Sequence, residues 1–434
     1  MPGSATWKPL LSDHRIGAAR RAGENPGEVS RSEFHRDYDR IIFSSAFRRL
    51  SDKTQVVPFP KSDYTRQRLT HSLEVSCVGR SLATMIYDSV RKEIGTLVTQ
   101  GDFEAIVAAA CLAHDIGNPP FGHFGERAIQ DWATSRLSHP IFRDLSVAER
   151  ADLTRFEGNA QSFRVLCRLQ MSERRGGMRL TAATLGALVK YPRGSVVEGN
   201  SRYRKHGYFQ DDAELFHEVF QGIGRTELIS GEYARHPLAL LSEAADDICY
   251  AIVDLEDGCR AGLVPLARGL EILEGIKSGS TGGSRMPDAE RLSMGRALAI
   301  NELVQQCASE FGSHSESILC GDYTASLIDR CPAEAAYHEA RRVSVDHIFS
   351  SERVLELESA GYRAIQGLLD ILLSAAATDT PDSFGRHVRR LTHLRTGDGM
   401  TAYQRLLSCT DFVSGMTDRH CVELFRTLSG HAAW

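Results

Sequence analysis

The chain has 434 residues, 42% of them hydrophobic and 25% charged, with a formal net charge of -5. This is the make-up of a globular protein with one large body or two domains, and its charge excludes a global drive toward nucleic acid or an anionic membrane. No apolar run approaches the roughly 18 residues of a membrane span, and Met1-Pro-Gly-Ser-Ala-Thr-Trp7 has no apolar signal core, so a cytoplasmic protein without membrane partners is expected.

Taken in chain order, residues 1–35 are rich in Arg and Gly and read as a loose or partner-bound arm. Apolar positions then recur at intervals of three and four over 66–92, 103–115, 157–171, 179–190, 212–222, 237–262, 289–311, 333–349, 352–377 and 401–428, the helical period. No two-residue alternation and no hairpin turn signal stands out, so the expected fold class is all-α. Residues 192–211 combine Pro, Gly, Asn and basic residues and read as a long loop, which in a compact domain is usually functional. Lys277-Ser-Gly-Ser-Thr-Gly-Gly-Ser-Arg-Met-Pro287 has linker composition and divides a core over 36–276 from a helical region over 288–434 that packs on it and carries oligomer contacts. The ten cysteines form no CxxC pair; Cys77, Cys111, Cys167 and Cys249 lie in apolar helical context and read as reduced, buried thiols.

The densest chemistry lies in Cys111-Leu-Ala-His114-Asp115-Ile-Gly-Asn-Pro-Pro-Phe-Gly-His123-Phe-Gly-Glu126. Neighbours on a helix diverge by about 100°, so His114 and Asp115 can reach one ion only at a helix end, which Gly117 provides. Helical segments elsewhere offer His71 and Asp246, and two imidazoles with two carboxylates suit Mn, Mg, Fe, Co or Ni better than structural zinc. Asp246, Tyr250 and Asp254 fall on one stripe of one helix: a ligand, an aromatic wall and an acceptor for a sugar hydroxyl. Asp247 lies about 100° away and reads as a structural ion pair or cap. His123 and Glu126, at i and i+3, suit an imidazole general acid/base oriented by a carboxylate. Arg48, Arg66, Arg68, Lys190 and Tyr191 are available to a polyphosphate. The chain has neither GxxxxGK[ST] nor GxGxxG, which excludes a P-loop and a Rossmann nucleotide site.

The order His71, His114-Asp115, Asp246 resembles the metal site of the HD superfamily of phosphohydrolases, and the flanking words resemble its dGTP triphosphohydrolase-like dNTPases. The likeness runs from about residue 33 to 430 and includes Tyr38–Val56, Thr65–Val75, His114–Glu126, Phe156-Glu-Gly-Asn159-Ala-Gln, Lys190-Tyr191-Pro and Asp411–Arg419. It departs from the family at His420, where Tyr is usual. The resemblance implies an HD-type helical core with an added helical C-terminal part. It implies a divalent metal on His71, His114, Asp115 and Asp246, and a catalytic pair His123 and Glu126. Gln55 and Asp254 would meet the deoxyribose 3′-hydroxyl, with Tyr250 packed where a 2′-hydroxyl would clash. Arg68, Asn159, Lys190 and Tyr191 would serve the substrate's phosphates. The implied reaction cleaves a dNTP to deoxynucleoside and triphosphate by water attack at the α-phosphorus. The implied assembly is a homohexamer, with a second nucleotide or single-stranded DNA as effector. The alternatives are an HD phosphodiesterase or nuclease acting on cyclic nucleotides or single-stranded nucleic acid, and a non-catalytic nucleotide-binding regulator.

Overall fold

The computed structural model describes residues 6–18, 31–55, 66–277, 286–397 and 399–431. About half of the expected arm (1–5 and 19–30) and most of the expected linker (278–285) lie outside those residues. Among the described residues the fold is all-α apart from one small hairpin. The helices are α1 (Trp7–Leu10), α2 (Glu33–Ile42), α3 (Ser45–Arg49), α4 (Arg68–Ile94), α5 (Gln100–Ala113), α6 (Gly122–Ser135), α7 (Val147–Thr154), α8 (Gly158–Arg164), α9 (Ala182–Leu188) and α10 (Ala213–Gly222). After the hairpin come α11 (Ala239–Arg260), α12 (Leu266–Ile276), α13 (Asp288–Ser313), α14 (Ser315–Cys320), α15 (Glu334–Ser344), α16 (Glu352–Ala376), α17 (Ser383–Thr392), α18 (Ala402–Ser414) and α19 (Asp418–Leu428). No helix among the described residues is long and apolar enough to cross a membrane.

Helix α5 begins at a Thr99/Asp102 capping box and is buried on every side from Phe103 to Ala113, apart from Glu104. A helix apolar all round belongs at the centre of a domain, and α4, α9 and α11 pack around it. Gly79 lets α4 approach, because a Cβ there would stand 2.4 Å from the Cys111 sulfur. Val75, Leu82, Ile106, Leu112, Ile248 and Ile252 belong to this first core, which α13 and α15 extend through Leu303 and Tyr337. A second core joins α6 and α7 to α16, α18 and α19 through Trp132, Leu153, Leu368, Leu372 and Leu406. The turn between α5 and α6 therefore runs from one core to the other.

Three features differ from the sequence reading. A short antiparallel hairpin pairs β1 (Glu227–Ile229) with β2 (Glu232–Tyr233) around Gly231 at φ 76°; strands of three and two residues are too short to show an alternation. The stretch 401–428 is two helices, because the chain leaves α18 at Gly415 and restarts with the Thr417 hydroxyl accepting from the His420 N–H. All ten cysteines are free, but Cys77 is exposed on the outer face of α4.

Residues 6–18 are packed: Trp7, Leu10 and Ile16 enter the first core, and Arg15 hydrogen bonds to Asp37 at 2.7 Å and to the Arg179 carbonyl at 2.5 Å. Residues 192–209 contain no helix, yet Tyr203, His206, Tyr208 and Phe209 anchor them to the body.

Candidate active site

Helix α5 ends at Ala113, with His114 as its C-cap. Here the backbone turns, and the His114 and Asp115 side chains face one point between α4 and α11. His114 Nδ1 is tied to the Cys111 carbonyl at 2.7 Å, which leaves Nε2 free for a ligand. Nε2 lies 3.5 Å from Asp115 Oδ1 and 3.4 Å from Asp246 Oδ1. His71, from the first turns of α4, places Nε2 3.1 Å from the same Asp246 oxygen. Potential ligand atoms of His71, His114 and Asp115 all lie within 4.8 Å of one another.

The donor set fits a divalent cation. Among the described residues, His114 Nε2 is buried without a hydrogen-bond partner, although three neighbouring side chains converge on it, and a buried unsatisfied polar atom is costly unless something serves it. Electrostatics point the same way. Burial disfavours a charged His114, but Asp115 and Asp246 outweigh burial and push its pKa up to about 9. Burial alone would raise Asp115; Arg68 and the two imidazoles instead bring it down to about 2. The cluster thus attracts positive charge. Asn118, which the sequence reading did not single out, donates to Asp115 Oδ1 at 2.5 Å, and Arg68 pairs with the other oxygen. Asp115 is held from both sides.

Next to the cluster, α6 carries His123 and Glu126. His123 Nδ1 donates to Glu126 Oε2 at 2.9 Å, while Glu126 Oε1 accepts the Gly158 N–H at 2.7 Å. Position 158 must be glycine, since a Cβ would stand 2.2 Å from Asn118 Oδ1 and 2.6 Å from Glu126 Oε1. The His123 side chain is 75% exposed while that of Glu126 is 7% exposed, so a buried carboxylate orients an imidazole open to the cavity. The hydrogen bond to Glu126 raises the His123 pKa above its ordinary value.

Two cavities meet at this centre and share Asp115, Asn118, His123, Asp246 and Tyr250. One, of about 310 Å³, is bounded by Gln55, Phe121, Phe124, Val345, Phe349 and Glu358. The other, of about 300 Å³, is bounded by Asn159, Lys190, Tyr191, Lys205 and Arg341 along with Glu243 and Asp247. Tyr250 stacks on Phe349 with centroids 5.8 Å apart and rings 7° from parallel, and the Arg341 guanidinium lies 5.7 Å from its ring centre. Lys190 pairs with Glu243 at 3.3 Å and Lys205 with Glu157 at 3.0 Å, so both ammonium groups are held beside the second cavity.

Of the residues singled out in the sequence, His71, His114, Asp115, Asp246, His123, Gln55, Arg68, Asn159, Lys190, Tyr191 and Tyr250 all line these cavities. Glu126 lies just behind His123. Arg48 is not at the site; its guanidinium is exposed and donates to the Phe43 carbonyl at 3.1 Å. Arg66 is taken up by Glu74 at 2.9 Å, Glu256 at 3.1 Å and Asp257. Asp254 lies one turn beyond Tyr250, buried, outside both cavity walls, with Oδ2 unpartnered among the described residues. Asp247 lines the second cavity beside Lys190 and accepts from the Ser326 hydroxyl at 3.4 Å, and burial lifts its pKa to about 7. Lys205, Arg341 and Phe349 were missed: the first lies in an irregular segment and the others approach from α15 and the turn after it.

A helical body that converges His71, His114-Asp115 and Asp246 on one point beside an oriented imidazole has the arrangement of an HD-domain phosphohydrolase. Residues 68–188 match the HD domain, and residues 331–427 match the phosphohydrolase-associated domain. A deoxyguanosinetriphosphate triphosphohydrolase-like protein of Synechocystis is 39% identical, covering 98% of this chain and 99% of its own. One of Pseudomonas aeruginosa is 37% identical over the same shares. The deoxyguanosinetriphosphate triphosphohydrolase of Serratia proteamaculans is 31% identical, covering 91% of this chain and 93% of its own. The chain belongs to the deoxyguanosinetriphosphate triphosphohydrolase-like family of HD-domain proteins.

Proposed function

We propose that this protein is a metal-dependent dNTP triphosphohydrolase, which releases the deoxynucleoside and intact triphosphate. The observation that carries the reading is the pair of cavities meeting at His123 and the ligand cluster: one is walled by Phe121, Phe124, Val345 and Phe349 together with Thr54, Gln55, Arg68 and Glu358, the other by Lys190, Lys205, Arg341, Tyr191 and Asn159, with Glu243 and Asp247 pairing part of that positive charge. A nucleoside fits the chemistry of the first and a triphosphate that of the second, which sets the α-phosphorus at the junction.

His71, His114, Asp115 and Asp246 hold the cation in this reading, and Mn, Mg, Fe, Co and Ni all suit two imidazoles and two carboxylates. When bound, the cation supplies electrostatic stabilisation of the phosphoryl group and acidifies water. The remaining work belongs to side chains. Lys190, Lys205 and Arg341 neutralise the polyphosphate. Water attacks the α-phosphorus and loses its proton to solvent, the bond to the 5′-oxygen breaks, that oxygen takes a proton from His123 Nε2, and His123 is reprotonated from solvent. Glu126 holds the Nδ1 side and favours the imidazolium before transfer. Tyr250, packed against Phe349 and beside Arg341, presents a wall to the sugar.

The test is anion-exchange separation of products after incubation with Mn²⁺ and each dNTP in turn. Deoxynucleoside plus triphosphate is the expected pair. Deoxynucleoside monophosphate plus pyrophosphate, or cleavage of single-stranded oligonucleotides without dNTP turnover, contradicts the proposal.

A further inference from the structure

The turn that delivers His123 is fastened from the opposite end of the chain. Phe121, immediately before α6, has φ 61° and ψ 18°, a left-handed conformation that is uncommon for a bulky residue. Its side chain makes no capping bond for α6. Asp418, the first residue of α19, is 2% exposed and reaches this point. Its Oδ1 accepts the Phe121 N–H at 3.0 Å; its Oδ2 accepts the Thr54 N–H at 2.9 Å and the Thr54 hydroxyl as well. Thr54 adjoins Gln55 on the cavity wall. Lys53, also buried, spans the same gap, donating to the carbonyls of Asn118 at 2.6 Å and Ser414 at 2.8 Å.

Sparsely populated backbone persists only where the surroundings over-determine it. The side chain that does so here must accept three hydrogens with two oxygens, which a carboxylate can do and an amide of the same shape cannot. Asp418 is part of the segment matching the phosphohydrolase-associated domain, whereas Phe121 and His123 belong to the segment matching the HD domain.

We infer that Asp418 is a positioning residue: from the phosphohydrolase-associated segment it sets the Phe121 turn, and through that turn the placement of His123, without touching substrate. Its kinetic consequence rests on the triphosphohydrolase reading; its structural consequence does not.

The experiment compares full-length wild type with Asp418→Asn, Asp418→Glu, Thr54→Val and Arg419→Ala. Arg419, the exposed neighbour on α19, makes among the described residues only an exposed ion pair with Asp52 at 3.6 Å and serves as control. Hydrogen exchange of peptides covering 119–126, Mn²⁺ content, kcat and KM are measured. Asp418→Asn should raise exchange at the turn on the order of tenfold or more. It should leave Mn²⁺ content unchanged and lower kcat by roughly 10- to 100-fold, the scale for a catalytic group misplaced by about 1 Å. KM should stay within about threefold, since the ground-state contacts remain. Arg419→Ala should match wild type throughout. Wild-type exchange at 119–126 in Asp418→Asn, or an unchanged kcat per folded molecule, overturns the inference. If Asp418→Asn does not fold, Asp418→Glu and Thr54→Val should show smaller changes in the same direction, and wild-type exchange in both overturns it. If wild type turns over no dNTP, the exchange comparison alone decides, and the failure belongs to the functional proposal.

Discussion

His123 and Glu126 form one unit, the imidazole Nδ1 donating to the carboxylate at 2.9 Å while the rest of the ring faces the cavity. Glu126 raises the His123 pKa chiefly through that hydrogen bond. Glu126→Gln removes the negative charge, so the His123 pKa falls and the protonated fraction at neutral pH falls with it. A proton donor is then lost at lower pH, and the alkaline limb of kcat/KM should move down by about one pH unit. His123→Ala should lower kcat by roughly 10²–10⁴, the range for a general acid or base, with metal content intact. Steady-state pH profiles of both variants check this; an unmoved limb and an unchanged rate remove the pair from the reaction.

Asp246 and Asp247 are neighbours with different surroundings. Asp246 Oδ1 faces both His71 and His114, whereas Asp247 faces Ser326 and Lys190. Asp246→Ala should weaken Mn²⁺ binding on the order of 100-fold or more, the upper end of what even a supporting group contributes. Asp247→Ala should retain the metal. Metal content by mass spectrometry after dialysis separates the two, and the reverse pattern would assign the ligand to Asp247.

Tyr250 packs against the Phe349 ring and lies beside the Arg341 guanidinium. Truncation to Ala opens the wall that would exclude a 2′-hydroxyl. The ratio of rNTP to dNTP turnover should rise by roughly tenfold, typical of one steric contact in a pocket. Equal ratios in wild type and variant contradict a sugar-wall role.

Asp152 ties α7 to α18 and to the helical turn that follows the irregular segment, accepting the Gln210 N–H at 2.7 Å and the Tyr403 hydroxyl. Burial pushes its pKa up from 3.8 to about 7. Between those values the folded protein keeps a proton that the unfolded chain has lost, so this residue makes stability fall as pH rises from 4 to 7. Asp152→Asn keeps an acceptor oxygen and carries no charge. Its melting temperature should exceed that of wild type at pH 8 by a few degrees and approach it near pH 4. A wild-type advantage at pH 8 would show that the ionised carboxylate is favoured in the fold.

The centre of the site was legible where its information is local. His114-Asp115 followed by Gly117 requires a helix end, and helical phase separates Asp246 from Asp247; both are consequences of a 3.6-residue turn. What distant parts of the chain do to a side chain was not legible. Arg66 is one of several arginines in the sequence, and only the fold brings Glu256 and Asp257 against it. Arg48 folds back on its own helix start. Lys205 and Arg341 reach the second cavity from an irregular segment and from α15, with no spacing rule linking them to His123. Asp418 stood in a recognisable C-terminal block, but its bonds to Phe121 and Thr54 span nearly the whole chain.

The most direct test of the reaction is dNTP hydrolysis in ¹⁸O-labelled water, with mass spectrometry of both products. Water attack at the α-phosphorus with loss of the 5′-oxygen should place one label in the triphosphate and none in the deoxynucleoside. Label in the deoxynucleoside, or in a monophosphate or pyrophosphate product, would contradict it.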